Sequence, residues 1–108
     1  MADERTLDQK LLEEGADWIA EMVSEELGGF IPSELCDLVM QTELKVREET
    51  GDALMDHDSM TKRIMEIFRA DPEVPTQEGA VSDFIVREIL HWEDEFRSMA
   101  GHPRRVRT

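Results

Sequence analysis

The feature that most constrains the fold of this chain is the recurrence of apolar side chains every three to four residues, interrupted four times by glycine and proline. The interruptions fall at residues 28–29, 51, 71–75 and 101–103. A period near 3.6 residues is typical of amphipathic helices, and glycine or proline commonly ends them. Tyrosine is absent and helix-forming residues dominate the composition, which argues against a sheet. The pattern predicts an all-α fold, a small antiparallel bundle of three to four helices.

The first and the last helix are the clearest elements of this pattern. A first helix is predicted over residues 6–27, because Thr6 and Gln9 match a capping box and Gly28 is suited to end the helix. A last helix is predicted over residues 76–100. The stripe of the first helix is predicted to be Leu12, Ala16, Ile19, Val23 and Leu27. The stripe of the last helix is predicted to be Val81, Ile85, Ile89, Trp92, Phe96 and Met99.

The central segment, residues 33–70, has two interpretations that differ at Gly51. A glycine at this position is suited to cap one helix before a second helix that begins near residue 58. The helical phase is nevertheless preserved, because at about 100° per residue Val46, Ala53 and Met60 fall close to one line. The preserved phase favours one long or kinked central helix, in which an interior glycine costs about 1 kcal/mol.

The charge of the chain limits its partners. There are 26 Asp and Glu residues against 12 Lys and Arg residues, a net charge of −14. Three of the 12 cations lie in residues 102–108, which are predicted to form a flexible basic tail after a single helical domain at residues 1–101. An acidic domain of this kind repels nucleic acids and anionic membranes. The charge therefore predicts no nucleic-acid or membrane partner, and favours a basic protein, a cation or a second copy of the chain.

The chain shows none of the sequence signals that direct a protein out of the cytoplasm. Its first residues are charged, and no apolar run approaches the roughly 18 residues that a membrane span requires. The single cysteine, Cys36, cannot form an intrachain disulfide and lies in a helical pattern without a neighbouring metal-ligand motif. A cytoplasmic location is expected, with Cys36 as an ordinary small side chain.

Acidic and histidine side chains are the remaining candidates for chemistry, because no phosphate-binding loop, catalytic serine motif or calcium loop is present. The acids of the first helix form a ridge opposite its apolar stripe and are interpreted as a solvated face. This ridge consists of Glu14, Asp17, Glu21 and Glu25. Ionisable residues on the apolar stripes are more informative, because a buried lone charge needs a partner. These residues are Glu26, Glu49, His57 and Glu88.

Two metal-binding hypotheses follow from these acids. Carboxylates and a histidine that converge inside a helical bundle can form a metal site, and Glu88 and His91 also have ExxH spacing. Separately, Glu49 and Asp52 form an ExxD pattern in the segment 48–54, which resembles the motif of all-α nucleoside-triphosphate pyrophosphohydrolases of the MazG type. That resemblance implies a Mg²⁺-dependent hydrolase. The second acidic motif of the family has its nearest match at residues 14–17, which depart from ExxE.

The absence of a catalytic motif, the negative charge and a surplus of apolar helix surface favour a non-enzymatic protein that binds another protein. The surplus is attributed to Trp18, Val86 and Leu90, which lie off the centres of their stripes. The chain is therefore expected to be a homodimeric regulatory or adaptor protein without a catalytic residue or cofactor. The alternatives are a Mg²⁺- or Mn²⁺-dependent pyrophosphohydrolase-like enzyme and a carboxylate/histidine metal-binding bundle. Their candidate metal ligands are Glu49, Asp52, His57 and Glu88.

Overall fold

A computed structural model describes residues 7–76 and 79–106 of the chain, without the side chain of Asp8. The described residues form four helices and no strand. The helices are α1 (Leu7–Leu27), α2 (Ser33–Thr50), α3 (His57–Ala70) and α4 (Asp83–Met99). Each helix packs against the next, α4 closes the ring against α1, and α2 also contacts α4 across the centre. The predicted all-α bundle is confirmed.

Short connections set the direction of the first three helices. Residues 28–32 join α1, of 21 residues, to α2, of 18 residues. Residues 51–56 join α2 to α3, of 14 residues. A helix of 18 residues is about 27 Å long, whereas five extended residues span at most about 18 Å. Such a connection cannot return to the start of the preceding helix, so neighbouring helices run antiparallel. The loops 28–32 and 71–82 therefore lie at one end of the bundle, opposite the loop 51–56.

The interpretation of residues 33–70 as one long or kinked helix is wrong. Helix α2 ends at Thr50, and Gly51 follows with a φ of 68° while its N–H donates to the carbonyl of Arg47. A left-handed residue of this kind interrupts a right-handed helix and is easily adopted only by glycine. Helix α3 then begins at His57, because the Asp56 side chain accepts a hydrogen bond from the N–H of Ser59. Both helices bury apolar side chains in the same core, which does not require one continuous helix.

Helix α4 begins at Asp83, seven residues later than the predicted start at residue 76. The Ser82 side chain accepts a hydrogen bond from the N–H of Ile85 and so caps the helix there. Before it, Gly79 has a φ of 77°, and Val81 donates its N–H to the carbonyl of Pro75. The segment before Ser82 is thus a loop, in which residues 77–78 lie outside the described part. The predicted cap at Thr6 also lies outside the described residues.

The core confirms the predicted stripe of α1 and corrects that of α4. Leu12, Ala16, Ile19 and Val23 are buried. In α4, however, Val86 and Leu90 are completely buried, whereas Met99 at the end of the predicted stripe is exposed. The surplus apolar surface that the sequence attributed to these two residues is therefore part of the core. The buried face of α4 consists of Val86, Ile89, Leu90, Glu93 and Arg97.

Among the described residues, none of the helices combines the length and the apolar character that crossing a membrane requires.

Candidate functional site

The structure does not bring the four predicted metal ligands together. Glu49 is exposed near the end of α2, and Asp52 lies in the following loop, where its Oδ1 accepts a hydrogen bond from the N–H of Leu54 at 3.2 Å. His57 begins α3, and Glu88 lies half-buried on α4. In the described part of the chain, no three His, Cys, Asp or Glu side chains form a group that could hold a metal ion. The metal-binding hypotheses stay predictions.

His57 is instead paired with a carboxylate of α4. Its Nε2 lies 2.8 Å from Oδ2 of Asp94, and both side chains are more than two-thirds buried. The neighbouring Asp94 carboxylate raises the pKa of His57 above its ordinary value, although burial acts in the opposite direction. The pair thereby links the first residue of α3 to α4.

Glu88 is paired with Glu26 on the α1–α4 surface. The indole Nε1–H of Trp92 donates to Oε2 of Glu26 at 2.7 Å, and this hydrogen bond lowers the pKa of Glu26. Burial and the neighbouring Glu26 raise the pKa of Glu88. Trp92 also contacts Trp18, with ring centroids 5.8 Å apart. The carboxyl pair thus borders an aromatic cluster that joins the first and the last helix.

The most buried charged groups of the bundle are ones that the sequence interpretation missed. We call Glu43, Arg47, Glu93, Arg97 and Arg104 the buried ionic cluster. Glu43 is only 1% exposed, and the other four side chains are also almost fully buried. Nη1 of Arg104 lies 2.6 Å from Oε1 of Glu43 and 3.2 Å from Oε1 of Glu93. Arg47 adds a contact of 3.1 Å from its Nη2 to Oε2 of Glu43.

The two carboxyl groups of the buried ionic cluster titrate in opposite directions. Burial and the neighbouring Glu43 raise the pKa of Glu93 well above its ordinary value. Burial also disfavours the charge of Glu43, but the hydrogen bond from Glu93 and the nearby Arg104 and Arg47 lower its pKa. Two adjacent buried carboxyl groups favour holding one proton between them. The directions of the two shifts therefore favour the proton on Glu93 and the negative charge on Glu43.

A signal for the buried ionic cluster is present in the sequence. Cys36, Met40 and Glu43 are spaced by four and three residues, and Leu90, Glu93 and Arg97 are spaced by three and four. Each glutamate thus continues a helical stripe of buried apolar residues. The predicted stripe of the last helix, with Ile89, Trp92 and Phe96, is centred one residue away and left Glu93 outside the core.

Arg104 belongs to the segment for which a flexible tail was predicted. Its side chain is only 7% exposed and contacts glutamates on α2 and α4. Arg104 itself is therefore held in the interior, whereas the flexibility of residues 102–108 as a segment stays a prediction.

Phe30 is the most exposed large apolar side chain among the described residues, with 86% of its surface open to solvent. It lies in the loop between α1 and α2, and side-chain and backbone hydrogen bonds fix this loop to Ser24. Oγ of Ser24 accepts the N–H of Ile31 at 2.8 Å, while its carbonyl accepts the N–H groups of Gly28 and Gly29. A loop with these bonds holds Phe30 outward instead of folding it onto the core.

Two grooves meet at Phe30. The apolar groove has a volume of about 470 Å³ and includes Phe30, Ile31, Leu35, Pro75, Val81 and Ile85 in its lining. The acidic groove has a volume of about 530 Å³ and is bordered by the carboxyl groups of Asp17, Glu21, Glu25 and Glu34, with Phe30 at its edge. We call these two grooves and the Phe30 side chain the Phe30 surface. Three acids of the predicted solvated ridge of α1, Asp17, Glu21 and Glu25, thus line this surface, and all four acids of the ridge are exposed.

Cys36 does not offer a nucleophile. Its side chain is completely buried, and burial raises the pKa of its thiol to about 12. A neutral buried thiol of this kind is unreactive at neutral pH.

The chain was compared with protein families, curated proteins and solved structures. No family model matches the chain, and neither a curated protein nor a solved structure matches it.

Proposed function

We propose that this chain is a non-enzymatic protein that acts by binding a basic segment of another protein at the Phe30 surface. The observation that supports this proposal most directly is the 86% exposure of Phe30 beside an apolar groove. Covering an aromatic side chain of this size stabilises a complex by roughly 1.5–3 kcal/mol. An aromatic residue held outward beside an apolar pocket has the character of an interface anchor.

The charge around Phe30 selects the partner. Four carboxylates border the acidic groove next to the apolar one. A partner with apolar side chains and Lys or Arg residues would fill the apolar groove and pair with these carboxylates at once. An acidic partner would meet like charges at the same position.

A second copy of the chain is the alternative occupant, since the sequence favours a homodimer. A two-fold dimer through the Phe30 surface would place the same acidic groove of both copies at one interface. Like-charge repulsion would weaken that dimer at low ionic strength. The basic partner is therefore the proposed occupant, and the homodimer is an outcome that the experiment distinguishes.

The test uses two synthetic amphipathic peptides of about 18 residues, or five helical turns. One peptide carries leucine on one face and lysine on the other, and its control carries glutamate in place of lysine. Fluorescence anisotropy should show binding of the lysine peptide, weaker binding at higher NaCl concentration, and no binding of the glutamate peptide. Phe30→Ala should weaken binding about tenfold or more, as expected for an anchor residue.

The matched control is Phe84→Ala, since Phe84 is also an exposed phenylalanine, at 59%, and does not line either groove. It should bind the lysine peptide like the unmodified protein. Equal binding by Phe30→Ala, or equal binding of both peptides, would contradict the proposal. Sedimentation equilibrium that shows a dimer lost in Phe30→Ala would assign the surface to a second copy.

A further inference from the structure

The chain reverses direction immediately after α4 and returns towards the bundle. Gly101 has a φ of 81°, a conformation that glycine adopts without strain. Its N–H donates to the carbonyl of Ser98, and the N–H of His102 donates to the carbonyl of Arg97 at 2.8 Å. We call residues 101–106 the C-terminal strap. The turn at Gly101 directs this strap back along the helices instead of into solvent.

Arg104 and Arg105 of the strap have opposite environments. The side chain of Arg104 is 7% exposed, and its Nη1 contacts Glu43 on α2 and Glu93 on α4. Arg105 is exposed. The two residues are adjacent and have the same side chain. The conformation of the strap therefore determines that the guanidinium of Arg104, and not that of Arg105, lies in the interior.

The position of Arg104 lies between two helices of the bundle. Glu43 projects from α2 and Glu93 from α4, and Nη2 of Arg47, also on α2, contacts Glu43 at 3.1 Å. A guanidinium group has five N–H donors in a planar fork and contacts carboxylates with favourable geometry, whereas an ammonium group is a compact point charge. The pair of carboxyl groups therefore suits a guanidinium that approaches from the end of α4.

We propose that Glu43 and Glu93 form a guanidinium-binding site inside the bundle, which the C-terminal strap occupies with Arg104 as a removable clamp between α2 and α4. The inference does not depend on the Phe30 surface. It rests on three observations: the adjacent carboxyl groups of Glu43 and Glu93, the buried guanidinium of Arg104 that contacts both, and the turn at Gly101 that brings Arg104 to them. Without the Arg104 side chain, the same two carboxyl groups should accept a small guanidinium compound.

The test replaces the side chain of Arg104 and supplies the guanidinium separately. Arg104→Ala should melt roughly 10 °C or more below the unmodified protein, because the buried charge of Glu43 loses one of its cationic partners. Millimolar ethylguanidinium should restore part of this loss with saturation, whereas ethylammonium at the same ionic strength should not. Arg104→Lys should recover only part of the loss, since it restores the charge without the planar fork.

Arg105→Ala is the matched control and should melt like the unmodified protein, with no response to ethylguanidinium. An equal response of Arg104→Ala and Arg105→Ala to ethylguanidinium would overturn the proposal.

A second measurement uses the unmodified chain and so remains decisive if Arg104→Ala does not fold. In ¹⁵N nuclear magnetic resonance spectra, the Nε–H of Arg104 should exchange with water much more slowly than that of Arg105. The slow exchange of Arg104 should be lost in Glu93→Ala. Exchange of Arg104 as fast as that of Arg105 would show that the strap does not seat its guanidinium, and would overturn the proposal.

Discussion

Glu43 of α2 and Glu93 of α4 are hydrogen-bonded carboxyl partners in the interior of the bundle, with the pKa of Glu43 lowered and that of Glu93 raised. Both side chains are almost fully buried, and the guanidinium of Arg104 contacts each of them. A buried ionic arrangement of this kind adds little net stability compared with an apolar core of the same shape, but is strongly disrupted when one partner is lost. Its consequences should therefore appear as dependence on pH and on single substitutions.

The raised pKa of Glu93 predicts that stability falls as pH rises above the ordinary glutamate value. Above pH 4.5, the folded protein still holds a proton that the unfolded chain has released. The free energy of unfolding should therefore decrease through the window that ends at the folded pKa of Glu93, by at most about 1.4 kcal/mol per pH unit. Glu93→Gln keeps a neutral hydrogen-bond donor, and urea unfolding at several values between about pH 5 and 8 should show a flatter dependence.

The exposed Glu95 on the same helix supplies the control for this measurement. Glu95→Gln should retain the slope of the unmodified protein. Identical slopes in Glu93→Gln and Glu95→Gln would contradict the assignment of the proton to Glu93. Glu43 has the opposite sign, because its lowered pKa contributes stability that is lost as pH falls below 4.5.

The His57–Asp94 pair predicts a second, separable pH effect. Since Asp94 raises the pKa of His57, the pair contributes stability that is complete below pH 6.5, the ordinary value, and is lost as pH rises through the folded pKa. Asp94→Asn should destabilise the protein by about 0.5–1 kcal/mol at acidic pH and by less at alkaline pH. Proton resonances of the imidazole should show a lower pKa for His57 in this variant. The exposed His91 and His102 serve as references in the same spectra, and an unchanged titration of His57 would contradict the pairing.

The close approach of Phe96 to Gly15 predicts that Gly15→Ala is destabilising although alanine favours helices. A Cβ atom at residue 15 would lie 2.7 Å from Cδ1 and 2.8 Å from Cε1 of the Phe96 ring. The ring also contacts Trp18, with centroids 6.0 Å apart, so its displacement disturbs the aromatic cluster. Overpacking of this kind costs about 1–3 kcal/mol, against a gain of about 1 kcal/mol in helix propensity.

Urea unfolding of Gly15→Ala, Phe96→Leu and the double variant checks this expectation. The cost of Gly15→Ala should be smaller in the presence of Phe96→Leu, because the shorter side chain leaves space for the methyl group. Strictly additive effects would show that the two residues do not conflict.

The separation of the four predicted ligands predicts no metal-specific stabilisation. Millimolar Mn²⁺ should change the melting temperature no more than NaCl of the same ionic strength, in the unmodified protein and in Glu49→Gln alike. A bound ion would add about 2.7 kcal/mol at a hundredfold excess over its dissociation constant. A Mn²⁺-specific gain that disappears in Glu49→Gln would instead favour the hydrolase alternative with Glu49 and Asp52. The same gain with Zn²⁺ would point to a site that includes His57.

The sequence by itself determined the helical class, the break at Gly28 and the core stripe of α1, because helix period and termination are local properties of the chain. Residues such as Ile19 and Val23 lie in the centre of a wide apolar face, so a small rotation of the helix leaves them buried. The exposed acidic ridge of α1 was predictable for the same reason. Local patterns also supplied a cap at Gly51, but the preserved phase across it favoured the wrong interpretation.

Only the tertiary structure decided that the charged residues Glu43 and Glu93 are buried and that the apolar residue Phe30 is exposed. Glu43 and Glu93 lie at the edges of their stripes, where a rotation of a helix by one position moves a side chain between solvent and core. That rotation is set by contacts among α2, α3, α4 and the strap, and Glu43 and Arg104 are 61 residues apart in the chain. Phe30 looks like a core residue by its chemistry, and its exposure follows from a loop that Ser24 fixes in place. Burial at such positions depends on long-range packing, which a local period does not contain.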